Sequence, residues 1–237
     1  MTSVALIGGD GAGKTTIAQH LTTSTRFRAK YLYMGISAQS SNRLLPTSRL
    51  VLLLKRRAYR KQVVHRTGRA PTTDRIPATH YEYSTRQRGT LWTVARLLNR
   101  FAEAWYRQIL ALIYQARGYV VVYDRHFLFD GGVLDPTPRR TRRRRIPEDV
   151  YRWALRTFYP RPDLVIFLET PGAVLYARKS EASAEYLDRQ AQTYLAQAAS
   201  VKRFVRLDAS QPLDSVKRQA IAVVSELMEQ PGRLRGS

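Results

Sequence analysis

Val4-Ala5-Leu6-Ile7-Gly8-Gly9-Asp10-Gly11-Ala12-Gly13-Lys14-Thr15-Thr16 is the stretch on which the reading of this chain turns. It fits the spacing GxxxxGK[ST], with Gly8, Gly13, Lys14 and Thr15 in register between an apolar strand-like run and a helix starting near Gly13. Glycines let successive backbone N–H groups curl around phosphate oxygens, and the helix N-terminus adds the positive end of its dipole. Residues Gly8, Gly9, Asp10, Gly11, Ala12, Gly13, Lys14, Thr15 and Thr16 are therefore expected to cradle a nucleoside triphosphate. Lys14 would reach the β- and γ-phosphates, and the Thr15 hydroxyl would ligate magnesium. The competing account is a glycine-rich turn that binds nothing.

Working outward, 237 residues suit one large α/β domain with a substantial core, and no internal repeat is visible. Forty Lys and Arg against eighteen Asp and Glu give a formal charge of +22, which points to anionic substrates or partners and says nothing about fold. Cysteine is absent, which excludes disulfides and thiolate metal sites and fits a reducing compartment. The four histidines, at 20, 65, 80 and 126, form no HExxH pair, so magnesium carried by a nucleotide is expected rather than zinc. The first apolar run is too short for a signal peptide, and Gln108 to Ala116 ends at Arg117 well short of a membrane span. A soluble, cytoplasmic protein is expected.

Apolar β-branched runs alternate with helical periodicity. Val4 to Ile7, Tyr31 to Met34, Tyr119 to Tyr123, Asp163 to Leu168 and Phe204 to Leu207 read as strands. Val94, Leu97, Leu98, Phe101, Trp105, Ile109, Leu112 and Ile113 recur at helical spacing, which predicts one long helix over Leu91 to Ala116. Such alternation predicts a parallel sheet with helices on both faces and ligands at the carboxyl ends of the strands. Two stretches break the pattern. The segment 35–90 is rich in Ser, Thr and Arg and holds one convincing helix, Thr47 to His65, in which Leu50 to Leu54 precede Lys55, Arg56, Arg57, Arg60 and Lys61. A basic amphipathic helix can lie on an anionic membrane; the expectation preferred here is a helix packed on the core with a solvated basic end. The segment 130–147 has six arginines within Arg139 to Arg145 among Gly and Pro breakers, and reads as a loop, either a solvated arm or part of an acceptor site.

Asp124 closes the third strand in Val-Val-Tyr-Asp-Arg-His, where sheet topology aims a side chain at the phosphates. A carboxylate there can hold magnesium through water or accept a proton from the attacking oxygen, and Arg125 can clamp a phosphate bidentately. The bland account is an Asp-Arg ion pair at a strand end. His126 is open between packing and acceptor contact. Aromatic residues mixed with basic ones, among them Tyr59, Tyr81, Tyr83, Trp92, Tyr151 and Trp153, are read as core rather than as base-stacking platforms.

Four features in order resemble the thymidylate kinases: the phosphate loop, Asp124-Arg125-His126, Pro162-Asp163-Leu164-Val165-Ile166-Phe167-Leu168, and Leu207-Asp208-Ala209-Ser210-Gln211-Pro212-Leu213. They span the N- and C-terminal thirds and the central strand. The resemblance implies a P-loop fold, three layers around a five-stranded parallel sheet, with ATP and Mg2+ as donor. It implies that Asp10 lies near the acceptor and Arg125 contacts its phosphate. A lid at 178–189 would bring Arg178 and Lys179, and with them Arg189, to the transferring phosphoryl group, and Ala209 with Ser210 would pack near the donor base. It also implies a homodimer through long helices, for which Leu91 to Ala116 is the candidate.

The acceptor half departs from that family. Met34-Gly35-Ile36-Ser37 stands where an acceptor motif is usual, and the family's arginine on the long helix falls at Glu103, leaving Arg100 and Arg107 as substitutes one turn either way. The arginine-rich run replaces the acceptor loop. The reading is an ATP-dependent phosphotransferase acting on a nucleoside monophosphate such as dTMP, with catalytic Lys14, Asp10, Asp124, Arg125 and Arg178 and metal ligands Thr15 and Asp124. Its alternatives are a kinase for a sugar or lipid-linked phosphate, and a nucleotide-gated module contacting nucleic acid or an anionic membrane through its basic segments.

Overall fold

The computed structural model describes residues 2–34, 45–67, 90–130, 150–151, 153–155, 157–180 and 182–229. The arginine run and most of the segment 35–90 lie outside the described residues. Five strands form one sheet: β1 (Ser3–Gly8), β2 (Ala29–Tyr33), β3 (Val120–Asp124), β4 (Leu164–Glu169) and β5 (Phe204–Asp208). Their order is β2-β3-β1-β4-β5, every pair is parallel, and β1 is central. The expected α/β class and sheet are those observed, with strand ends within two residues of the sequence reading.

The helices are α1 (Lys14–Thr22), α2 (Pro46–Thr67), α3 (Thr90–Ala116), the short α4 (Phe127–Asp130), α5 (Gly172–Arg178), α6 (Ala184–Ala196) and α7 (Leu213–Glu229). Residues 150–151, 153–155 and 157–158 are helical too. Central strands such as Val120-Val121-Val122 lack polar alternation because both faces of the sheet are covered, as a parallel sheet requires. One face presents Val4, Leu6, Val122 and Ile166 to Ile17 and Leu21 of α1 and to Val216, Ala220 and Val224 of α7. The other presents Ala5, Ile7, Val121 and Phe167 to a layer containing Ala104 and Ala111 of α3, with Tyr151, Leu155 and Tyr159. At the amino ends of the strands, the backbone N–H and hydroxyl of Ser3 donate to Asp163 Oδ2 at 3.0 and 2.9 Å. The opposite, carboxyl edge carries the phosphate-loop motif and Asp124.

α2 differs from the sequence expectation. Leu50, Leu53 and Leu54 are 58%, 48% and 54% exposed rather than packed on the core. The first turn is instead tied to α3 by polar contacts: Asn99 Nδ2 donates to Ser48 Oγ at 3.0 Å, and the Leu45 N–H donates to Glu103 Oε2 at 3.1 Å. These side-chain hydrogen bonds place the start of α2 against α3.

Candidate active site

The loop after β1 turns sharply enough to need glycine. Gly11 and Gly13 have φ of 94° and 85°, where a Cβ is strained, and Gly13 is the N-terminal cap of α1. A Cβ on Gly8 would meet the Leu168 carbonyl oxygen at 2.7 Å, so the loop can leave the sheet there only without a side chain. Lys14 is buried and curls back over the loop, its Nζ donating to the carbonyls of Gly8 at 2.8 Å and Gly9 at 2.7 Å, with Asp10 Oδ1 at 3.5 Å. Thr15 and Thr16 are exposed on the first turn of α1, and Ala12 is buried beneath the loop.

Asp124 reaches the same place from β3. The Thr15 hydroxyl donates to Asp124 Oδ2 at 2.6 Å, across 109 residues of chain. Tyr31 of β2 donates its phenol to the same oxygen at 2.9 Å. Burial, and then the Asp124 charge beside it, push the Tyr31 phenol well above its ordinary range, so it remains a donor. Asp124 Oδ1 is buried with no hydrogen-bond partner. A buried carboxylate oxygen left open next to a threonine hydroxyl fits a hard, oxygen-seeking divalent ion such as magnesium. The donor set Thr15 and Asp124 is chemically suited to it.

Arg125 follows at a φ of 67°, a left-handed conformation costing a non-glycine residue on the order of 1 kcal/mol. Its N–H donates to the Leu6 carbonyl at 3.2 Å. The turn delivers its guanidinium to Asp10, with which it forms an ion pair. Burial alone would raise the Asp10 carboxyl; Lys14, Arg125 and Lys179 outweigh it and hold that carboxyl below the usual carboxylate range. Asp10 thus pairs with Lys14 and Arg125 and is not suited to take a proton near neutral pH. The ion pair that the bland account foresaw for Arg125 exists, but with the Asp of the phosphate loop.

α5 lies against the loop, with Leu175 and Arg178 within 4 Å of where a Cβ on Gly11 would stand. Arg178 ends α5, and both terminal nitrogens of its guanidinium lie 3.3 Å from the Ala209 carbonyl. This links the expected lid arginine to the expected base-side loop, where the Ser210 N–H donates to Asp208 Oδ1 at 2.9 Å. Arg189 is exposed on α6, and its backbone carbonyl accepts from Thr193 at 3.0 Å.

On the acceptor side, the two candidate arginines have different surroundings. Arg107 is 2% exposed, pairs with Glu103 at 3.1 Å, and reaches the Tyr33 carbonyl at 3.5 Å. The Arg100 guanidinium stacks 4.3 Å from the Tyr151 ring centroid. His126 is fully buried among Tyr123, Phe129 and Tyr159, and burial pushes its imidazole down to about 3, so packing is its environment. Sequence reasoning missed Tyr31, whose proximity to Asp124 emerges only once β2 is placed beside β3 with Tyr33 opposite Asp124. It also missed Gly172, whose N–H donates to Asp188 Oδ1 at 2.7 Å.

A segment of this chain is 38% identical over 81 residues to the thymidylate kinase of Alcanivorax borkumensis, covering 30% of this chain and 39% of that protein. The chain thus matches well under half the length of that relative. No family model matches the chain.

Proposed function

We propose that this protein is an ATP-dependent phosphotransferase that moves the γ-phosphoryl group of Mg-ATP to a nucleoside monophosphate, dTMP being the first candidate. The observation that carries the reading is the meeting of Thr15 and Asp124 at 2.6 Å beside Lys14, with one Asp124 oxygen buried and open. The partial likeness to a thymidylate kinase supports a nucleotide as acceptor.

Lys14 and the backbone of Gly8 to Thr16 bind the donor phosphates. Thr15 and Asp124 would hold magnesium, which would supply positive charge beside the donor phosphates. Asp10 fixes the Arg125 guanidinium, which orients the acceptor phosphate. An acceptor phosphate oxygen attacks the γ-phosphorus while the bond to the bridging oxygen of ADP breaks; a dianionic phosphate needs no base for this step. Arg178 and Lys179 offset charge on the transferring group. The working compartment is the cytoplasm. The exposed apolar face of α3 supports a homodimer as the working assembly.

The test is ADP release with magnesium, scored separately for dTMP, dUMP, CMP and UMP against a no-acceptor control. Transfer to one of them, reduced roughly 100-fold or more in Lys14→Ala with the fold retained, is expected. ATP binding without transfer to any nucleotide would move the acceptor to a sugar or lipid-linked phosphate. Unchanged turnover in Lys14→Ala would remove the loop from the donor site.

A further inference from the structure

We propose that the outward face of α2 docks on an anionic lipid bilayer. Leu50, Leu53 and Leu54 are each about half exposed. Arg57, Arg60 and Lys61 are exposed as well. At 100° per residue the three leucines fall within a sector of about 100°, and the three cations fall within nearly the same sector one to two turns further on. The inward side is fixed by the Ser48 and Leu45 contacts to α3, so the leucines cannot turn toward the core without breaking them. Pro46–Thr67 contains seven Lys and Arg and no Asp or Glu.

Leucines beside cations on a solvent-facing helix match an interface in which the apolar groups enter the acyl boundary and the cations meet lipid phosphates. Nucleic acid would use the cations but leave the leucines in water, and Tyr59, the aromatic residue of α2, is only half-exposed and lies on the inner side. A second copy of the chain is disfavoured because this face repeats the sign of the whole molecule, +22. Among the described residues no helix is long and apolar enough to cross a membrane, so α2 would lie on the surface. The proposal stands independently of the phosphotransfer reading.

The full chain is tested by co-sedimentation with phosphatidylcholine vesicles and with vesicles containing 30% phosphatidylserine, at low and high salt, with a single-stranded RNA as competitor. Binding to the anionic vesicles alone, weakened by salt, is expected. Arg57→Gln/Arg60→Gln/Lys61→Gln should lower partitioning about 100-fold, each cation near an anionic surface being worth about fivefold. Leu50→Ser/Leu53→Ser/Leu54→Ser should also release the protein, although it keeps every charge. Leu53→Trp, a single exposed substitution, provides a readout that does not depend on the triple variants folding: with the wild-type emission from its three tryptophans subtracted, a blue shift on anionic vesicles is expected. Absence of that shift, vesicle binding unaffected by both triple variants, or RNA binding without vesicle binding would each overturn the proposal.

Discussion

His126 is in contact with no solvent, and its Nδ1 accepts from the Leu128 N–H at 3.4 Å while Nε2 has no partner. Its imidazole titrates near 3 in the folded chain against an ordinary value of 6.5. Between those values the unfolded chain binds a proton that the folded chain refuses. The histidine's contribution is therefore complete above about pH 6.5 and is lost as pH falls toward 3, with a slope of up to about 1.4 kcal/mol per pH unit. His126→Phe keeps an aromatic ring and removes the titration. Urea unfolding should show the native protein losing about 1.6 kcal/mol between pH 6.5 and pH 5 through this group, and the variant keeping it. Parallel losses in both would assign the pH dependence elsewhere. Asp10 acts in a separate window, because its lowered carboxyl favours the fold above the ordinary carboxylate value and loses that effect only as pH drops below it.

Lys14, Thr15 and the loop glycines were legible because their geometry is local, fixed by neighbours in sequence. Asp124 was legible because a strand end before a charged residue points to the ligand edge of a parallel sheet. The Asp10–Arg125 pairing was not, since 115 residues separate the partners and Arg125 reaches Asp10 only through its left-handed turn. Tyr31 was hidden for a related reason: its neighbour across the sheet depends on strand order, which places β3 between β2 and β1.

Elements were readable where apolar periodicity dominates and misread where polar contacts decide. The strands and α3 follow directly from β-branched runs and a helical apolar repeat. α2 has a helical sequence too, yet its first turn is held to α3 through Ser48, Asn99, Glu103 and the Leu45 N–H, contacts that apolar periodicity does not record. The α5–α6 corner is a second case. A Cβ on Gly172 would stand 2.3 Å from the Ala184 carbonyl oxygen and 2.7 Å from Asp188 Oδ1, so the two helix starts approach only through glycine. Asp188 also supplies α5 with the cap that Pro171 lacks, an acid at the positive end of the helix. Gly172→Ala should force these backbones apart and cost about 1–3 kcal/mol in denaturant unfolding. Because α5 carries Arg178, transfer activity should fall with it; an unchanged unfolding midpoint would show that the corner relaxes freely.

At the scale of the molecule, charge and its local absence divide the surface. The chain carries +22, yet Val94, Leu98, Trp105, Ile109, Leu112 and Ile113 of α3 are 40–62% exposed and form a stripe without a charged member. These residues fall within about 100° of one another on the helix and run for roughly 28 Å. Ala104, Arg107 and Ala111 occupy the far, buried side, and the buried Gln108 marks one edge of the stripe. Two strongly cationic copies repel least where a surface carries no charge, so among the described residues this stripe suits self-association. The homodimer proposed above is therefore expected to pair α3 with its own copy about a two-fold axis. Sedimentation equilibrium should give twice the chain mass at micromolar concentration, and Leu98→Glu/Ile109→Glu should give the single mass with the fold intact, because both side chains face solvent in the lone chain. The α2 substitutions that release the protein from vesicles should leave the double mass unchanged. A wild-type chain that sediments as a monomer would mean that the apolar stripe serves another partner.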